Sequence, residues 1–249
     1  MDISVRELTK VTTSRMMITV SELSQGELQV EGRLIDASNA TLFGYVVSSI
    51  QGRVPVVYKP IAGERPLWDF PEGSLAAREV AAYELSEGLD FNCVPTTVLR
   101  DGPFGIGAVQ QWIDTPEDVD VISIAQKKSP DVRNMALFDA LINNTDRKFG
   151  HILITAQGRL LGCDHGLTFH EEFKLRTVLW QFAGDELNEK EKIQLKGLEE
   201  WIEREESTAF RKHLMDSEIE ALLQRGRKIL MEGFPMPSTQ WPAVPWPPV

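Results

Sequence analysis

The apolar residues change spacing after the first third of the chain. The N-terminal third begins as a meander of antiparallel strands, and the helical pattern dominates only later. GELQVEGRLI ends in strand-like alternation, Asp36-Ala37-Ser38-Asn39-Ala40-Thr41 is a polar turn, and LFGYVVSSI and VPVVYKPI read as the next two strands of an antiparallel meander. SLAAREVAAYELSEGL then reads as a helix, with Ser74 as N-cap and Gly88 as the stop. VPTTVLR and GAVQQWI are short strands around a glycine-rich loop. VRNMALFDALINN places Met135, Leu137, Phe138, Leu141 and Ile142 at helical spacing, and HILIT and RLLGC form a hairpin turning at Ala156-Gln157-Gly158. From about residue 174 onward a mostly helical pattern is expected, and residues 15–25 look weakly helical. The expected class is α+β, an antiparallel meander followed by helices interleaved with short strands.

Composition narrows the partners. The formal charge of −11 over 249 residues argues against a nucleic-acid binder and against broad docking to an anionic membrane. No stretch reaches the ~18–20 apolar residues of a membrane span. MDISVRELTK lacks the apolar core of a secretory signal, and Cys93 and Cys163 make neither a disulfide framework nor a CxxC site. A soluble, cytoplasmic protein with buried thiols is expected. FPMPSTQWPAVPWPPV cannot be helix or interior strand. It is either a strap packed through Trp241 and Trp246 or a free docking tail for a protein partner.

The order of the polar residues points to chemistry. Lys59 lies late in the third strand, where its stem can aim the ammonium into a cleft, and Glu79 lies in the first half of the next helix. Asp146 opens the polar loop after a buried helix, with His151 further along it. Asp164 ends the hairpin in Asp164-His165-Gly166, whose glycine would let the backbone turn. Phosphoryl transfer from ATP needs this inventory: a cation for the nucleotide phosphates, a carboxylate to orient it, an acid to receive the acceptor's proton, and metal ligands. Taken alone, each of these residues has an ordinary reading as a solvated side chain or a turn former. The ordered set is what carries the inference.

VVYKPIAGERPLWDFPEGSLAAREVAAYELSE, INNTDRKFGHIL and GCDHGLTFHEEFKLRTVLW resemble the actinobacterial proteins described as phosphatidylinositol 3-/4-kinase-like, which are similar to HipA-type and lipid-kinase-type atypical kinases. The resemblance runs from about residue 27 to the end. It implies a two-lobed kinase-like fold: residues 1–26 as an N-terminal helical segment, 27–112 and 113–233 as the two lobes, and 234–249 as a Trp/Pro strap. It implies that Lys59 holds the α/β-phosphates and pairs with Glu79, that Asp146 is the catalytic base, and that Asp164 binds Mg²⁺ or Mn²⁺. Ser38, Asn39, Ala40 and Thr41 would cover the phosphates with backbone N–H groups, and Gln110, Gln111 and Trp112 would form the hinge beside adenine. Arg147 and Lys148 would stabilise the γ-phosphoryl group or recognise an anionic acceptor. The turn at 36–41 has no GxGxxG, and His151 stands where kinases carry an Asn metal ligand. Imidazole favours Mn²⁺ or Zn²⁺ over Mg²⁺, which implies an altered metal preference or a weakened catalyst. The alternatives are a pseudokinase that binds nucleotide and a partner, and a metal-dependent hydrolase built on His151, His165, His170 and Asp164. The acceptor stays open among a lipid headgroup, a sugar alcohol and a protein side chain.

Overall fold

The structure, a computed structural model, describes residues 2–3, 17–35 and 39–249. Ser38 and residues 15–16 of the weak helix lie outside the described residues.

Among the described residues six strands form one sheet: β1 (Asp2–Ile3), β2 (Glu27–Leu34), β3 (Leu42–Ser48), β4 (Gly52–Pro60), β5 (Thr97–Arg100) and β6 (Gly107–Gln111), in the order β1-β2-β3-β4-β6-β5. All neighbours pair antiparallel except β1, which lies parallel to β2. This edge pairing falls in the region expected to be helical, where a two-residue strand leaves no readable alternation. Helix α1 (Val20–Gln25) is set by a capping box between Thr19 and Glu22.

Side-chain alternation divides the sheet. Val54, Val56, Tyr58, Val98 and Val109 face one side, where Ile18 and Leu23 cover them. Each fully buried Val or Leu there contributes about 1.5–3 kcal/mol. Lys59, one position out of phase with Tyr58, therefore faces the other side, opposite Ala108 of β6.

That second face packs on α2 (Leu75–Gly88) through Ala76, Val80 and Ala108. The next residues of the same helix, Ala81, Ala82 and Leu85, belong to the core of the helical body. α2 is thus apolar on both sides and forms the wall between the two lobes. Ser74 sits at the N-cap, but its hydroxyl donates to the Pro71 carbonyl instead of capping the helix. The cap comes from Glu64, whose carboxylate accepts from Leu75 N (3.1 Å) and Ala76 N (2.8 Å) at the positive end of the helix. A buried pair between Arg78 and Glu218, with Arg78 also donating to the Thr168 carbonyl (2.6 Å), ties α2 to the last helix.

The body contains α3 (Val121–Ala125), α4 (Pro130–Ile142), the hairpin β7 (Ile152–Ile154) and β8 (Leu160–Gly162), then α5 (Glu189–Glu203), α6 (Thr208–His213) and α7 (Asp216–Glu232). α4 starts with Ser129 as N-cap and Pro130 in its first turn, and ends at Asn143 in the left-handed conformation.

Residues 174–188 are not the expected helix. They run irregularly, with one 3₁₀ turn at Trp180–Phe182. Their backbone is spent on neighbours: Arg176 N donates to Asn144 O, Thr177 N to Ala243 O and Val178 N to Arg147 O. Buried Leu175, Leu179 and Phe182 anchor the stretch and produce the helix-like spacing of its apolar residues.

The Trp/Pro segment is a packed strap. Ala243 O accepts from Thr177 N (3.0 Å) and from Trp180 Nε1 (2.7 Å), and Pro248 O accepts from Phe149 N (2.8 Å). Trp241 lies on the Lys174 ammonium, but Trp246, expected to pack, is 86% exposed. Among the described residues no helix is long and apolar enough to cross a membrane. Cys93 and Cys163 are both free; Cys93 is buried and Cys163 half-buried.

Candidate active site

β4, α2, the loop after α4 and the end of β8 converge on one crevice. Lys59 Nζ pairs with Glu79 Oε1 and lies 2.7 Å from Asp164 Oδ1. Glu79 is buried, and its second oxygen accepts from His165 N at 2.9 Å, so one carboxylate grips both the lysine and the Asp164-His165-Gly166 turn. Burial opposes charge on Lys59, but the Asp164 and Glu79 carboxylates outweigh it and raise the lysine pKa. Lys59 holds Asp164 well below the usual carboxylate range against its desolvation. Burial pulls Glu79 upward, with Lys59 working against that rise. The sharp turn of this element is at Asp164, which has φ +59°; Gly166, expected to supply it, is not in the left-handed region.

Asp146, His151 and Asp164 bring one donor atom each to within 4.8 Å of one another. His151 Nδ1 lies 2.9 Å from the Asp146 carbonyl, so it donates there and leaves the Nε2 lone pair facing Asp164, 3.4 Å away. Burial lowers the His151 pKa despite Asp164, which favours the neutral, ligating imidazole. Two carboxylates and one imidazole fit a divalent cation, and this mixed donor set suits Mn²⁺ or Zn²⁺ better than Mg²⁺. The side chain of Asp164 is 46% exposed, so such an ion would have an open approach. Lys148 is ion-paired to Asp146 at 3.1 Å.

The remaining expected site residues are placed differently. Arg147 does not face the crevice: it is completely buried and bonded by Nε and Nη2 to Asp139. Its other contacts are the His151 and Cys163 carbonyls, both at 3.0 Å, and His165 Nε2 at 2.7 Å. It braces the loop against the hairpin and touches nothing in the cleft. Since a guanidinium only donates, His165 Nε2 must be the acceptor, and burial together with Arg147 pushes the His165 pKa far down. His165 is therefore sealed behind the site, and His170 bonds Glu172 N and faces Lys174, so the three histidines do not converge.

In the turn meant to cover phosphates, Ala40 N already donates to Gly63 O and Thr41 N to Asn39 O, while Asn39 Oδ1 accepts from Arg65 N. Gln110 and Gln111 are buried in β6, with side chains bonded to Thr97 Oγ1 and Ile18 N. Trp112 N donates to Pro55 O and its indole to Asp114.

Asp139 escaped the sequence reading. Its signal was an acid inside the apolar run of α4, between Phe138 and Ala140, where only a paired charge is tolerated.

No family model matches the chain. Protein Rv2133c of Mycobacterium tuberculosis is 38% identical to it, over 90% of this chain and 93% of Rv2133c. The chain belongs to the family of Rv2133c. A narrower similarity, 28% identity over 129 residues, links this member of the Rv2133c family to phosphatidylinositol 4-kinase gamma 4 of Oryza sativa subsp. japonica. It covers 44% of the chain and 23% of the plant protein. The crystal structure of the Helicobacter pylori proinflammatory kinase CtkA resembles it with a TM-score of 0.46 and 11% identity, over 84% of this chain and 93% of that one.

Proposed function

We propose that this member of the Rv2133c family is an ATP- and metal-dependent phosphotransferase of kinase-like architecture. The observation that carries the reading is the crevice in which Lys59 meets Glu79 and Asp164, with Asp146 and His151 beside them. The partial similarity to a phosphatidylinositol 4-kinase supports the same chemistry.

In this reading Lys59 holds the nucleotide phosphates, and Glu79 fixes both its direction and the backbone at His165. Asp164 and His151 hold a divalent cation, which supplies charge neutralisation on the phosphates when bound. Asp146 accepts the proton of the acceptor hydroxyl as its oxygen bonds to the γ-phosphorus and the bond to ADP breaks. Lys148 balances the Asp146 charge before that transfer.

The test is incubation with γ-labelled ATP, Mn²⁺ or Mg²⁺, and a cell extract. Label should enter one fraction with the wild-type chain and not with Asp146→Asn. Label arriving from α- but not γ-labelled ATP would mean AMP transfer instead. A second reading, a nucleotide-binding module without transfer, is favoured by His151, which stands where kinases carry an Asn metal ligand. In that case ATP would raise the melting temperature and no acceptor would gain label.

A further inference from the structure

The three candidate metal donors hang on one buried guanidinium. Arg147 follows Asp146 in the chain, and its Nη1 donates both to the His151 carbonyl and to the carbonyl of Cys163, the residue before Asp164. Its Nη2 donates to Nε2 of His165, the residue after Asp164, at 2.7 Å. Asp146, His151 and Asp164 thus each carry or adjoin a group that this fork holds. Gly162 makes the room: a Cβ there would lie 2.8 Å from Nη2 and 3.0 Å from Nη1.

His165 is the member of this brace that packing alone does not account for. Asp139 already neutralises Arg147. The imidazole is fully buried, with its ring edge-on to Phe138 at 6.0 Å. Because Nε2 accepts from a group that can only donate, the ring proton sits on Nδ1, which is buried and has no hydrogen-bond partner. A buried donor without an acceptor is costly. A phenyl ring in its place would remove that donor but leave one Nη2 proton of Arg147 unpaired instead. Stability therefore gives little reason to prefer histidine over phenylalanine here. What only the histidine supplies is the bond that ties the turn of Asp164 to the loop of Asp146 and His151.

We propose that His165 is a positioning residue of the metal site: its bond from Arg147 sets how Asp164 stands relative to Asp146 and His151, and so how tightly the three donors take a divalent cation. This deepens the phosphotransfer reading and rests on it, because it takes that cluster to be the metal site. The test is made at His165, since removing Arg147 would also strand the buried Asp139.

The full chain, without nucleotide, is titrated with Mn²⁺, and the free ion is read by electron paramagnetic resonance. His165→Phe should weaken Mn²⁺ binding by roughly 10–100-fold, as loss of an outer hydrogen bond does at metal sites. Its melting temperature should move by no more than about 4 °C. His165→Gln, whose amide oxygen can accept from Arg147 in place of Nε2, should recover most of the affinity. A metal-free arm uses ¹⁵N-histidine spectra. These should show His165 protonated at Nδ1 and not at Nε2. The His151 ring signals, assigned with His151→Asn, should shift in His165→Phe and return toward their wild-type positions in His165→Gln. Unchanged Mn²⁺ affinity in His165→Phe, equal losses in the two variants, or a larger fall in melting temperature would overturn the proposal. So would a His165 proton on Nε2 or unmoved His151 signals. If the wild-type chain takes up no Mn²⁺, the metal-dependent reading fails instead, and the metal-free spectra still decide whether His165 sets the position of His151.

Discussion

Glu79 holds Lys59 with one carboxylate oxygen and the backbone N–H of His165 with the other. A residue of the inter-lobe helix thereby sets two elements of the candidate site at once: the lysine of β4 and the turn carrying Asp164. Moving Glu79 would misplace both.

Lys59→Met removes the ammonium shared by Glu79 and Asp164. Nucleotide affinity should fall by tenfold or more, read by titration with a fluorescent ATP analogue. Affinity equal to wild type would remove Lys59 from the phosphate site.

Asp146→Asn keeps the size of the side chain and loses the base. Transfer should drop by roughly 10²–10⁴ with nucleotide affinity retained, as measured by label incorporation and by binding in parallel. Full activity in this variant would refute the base assignment.

His151→Asn replaces the imidazole donor with an amide oxygen. The ratio of activity with Mg²⁺ to activity with Mn²⁺ should rise, since oxygen donors favour the harder ion. An unchanged ratio would take His151 out of the metal site.

Arg147→Met leaves Asp139 buried without its partner. The loss should appear in urea unfolding, at about 3–5 kcal/mol, with any activity loss following stability. A stable variant with selectively impaired transfer would mean that Arg147 does reach the reacting groups.

Burial pushes the Cys93 thiol up to about 12, with Ser86 only partly opposing the rise. Its alkylation at pH 8 should therefore be roughly a thousandfold slower than in the unfolded chain, as followed by mass spectrometry. A pKa raised in the folded state contributes stability that is complete below the unfolded thiol value of about 8.5 and is lost as pH rises toward 12. Cys93→Ala should flatten that alkaline decline.

Much of this arrangement was legible because period and position coincide. A lysine out of phase with Tyr58 must leave the apolar face of β4, and Glu79, Asp146 and Asp164 fall at fixed places in the elements that follow. What stayed hidden depended on partners distant in sequence. Arg147 reads as a loop cation until Asp139 from the preceding helix is placed against it. Ser74 reads as a cap until Glu64 is seen to reach the same amides. Residues 174–188 carry helix-like apolar spacing, and only their bonds to Asn144, Arg147 and Ala243 reveal an irregular course.

The two-sided packing of α2 has a mechanical consequence. Because Val80 is held by the sheet and Leu85 by the helical body, neither lobe can melt without stripping a wall from the other. Heating should then produce one sharp calorimetric peak whose van't Hoff and measured enthalpies agree, with no half-molten intermediate.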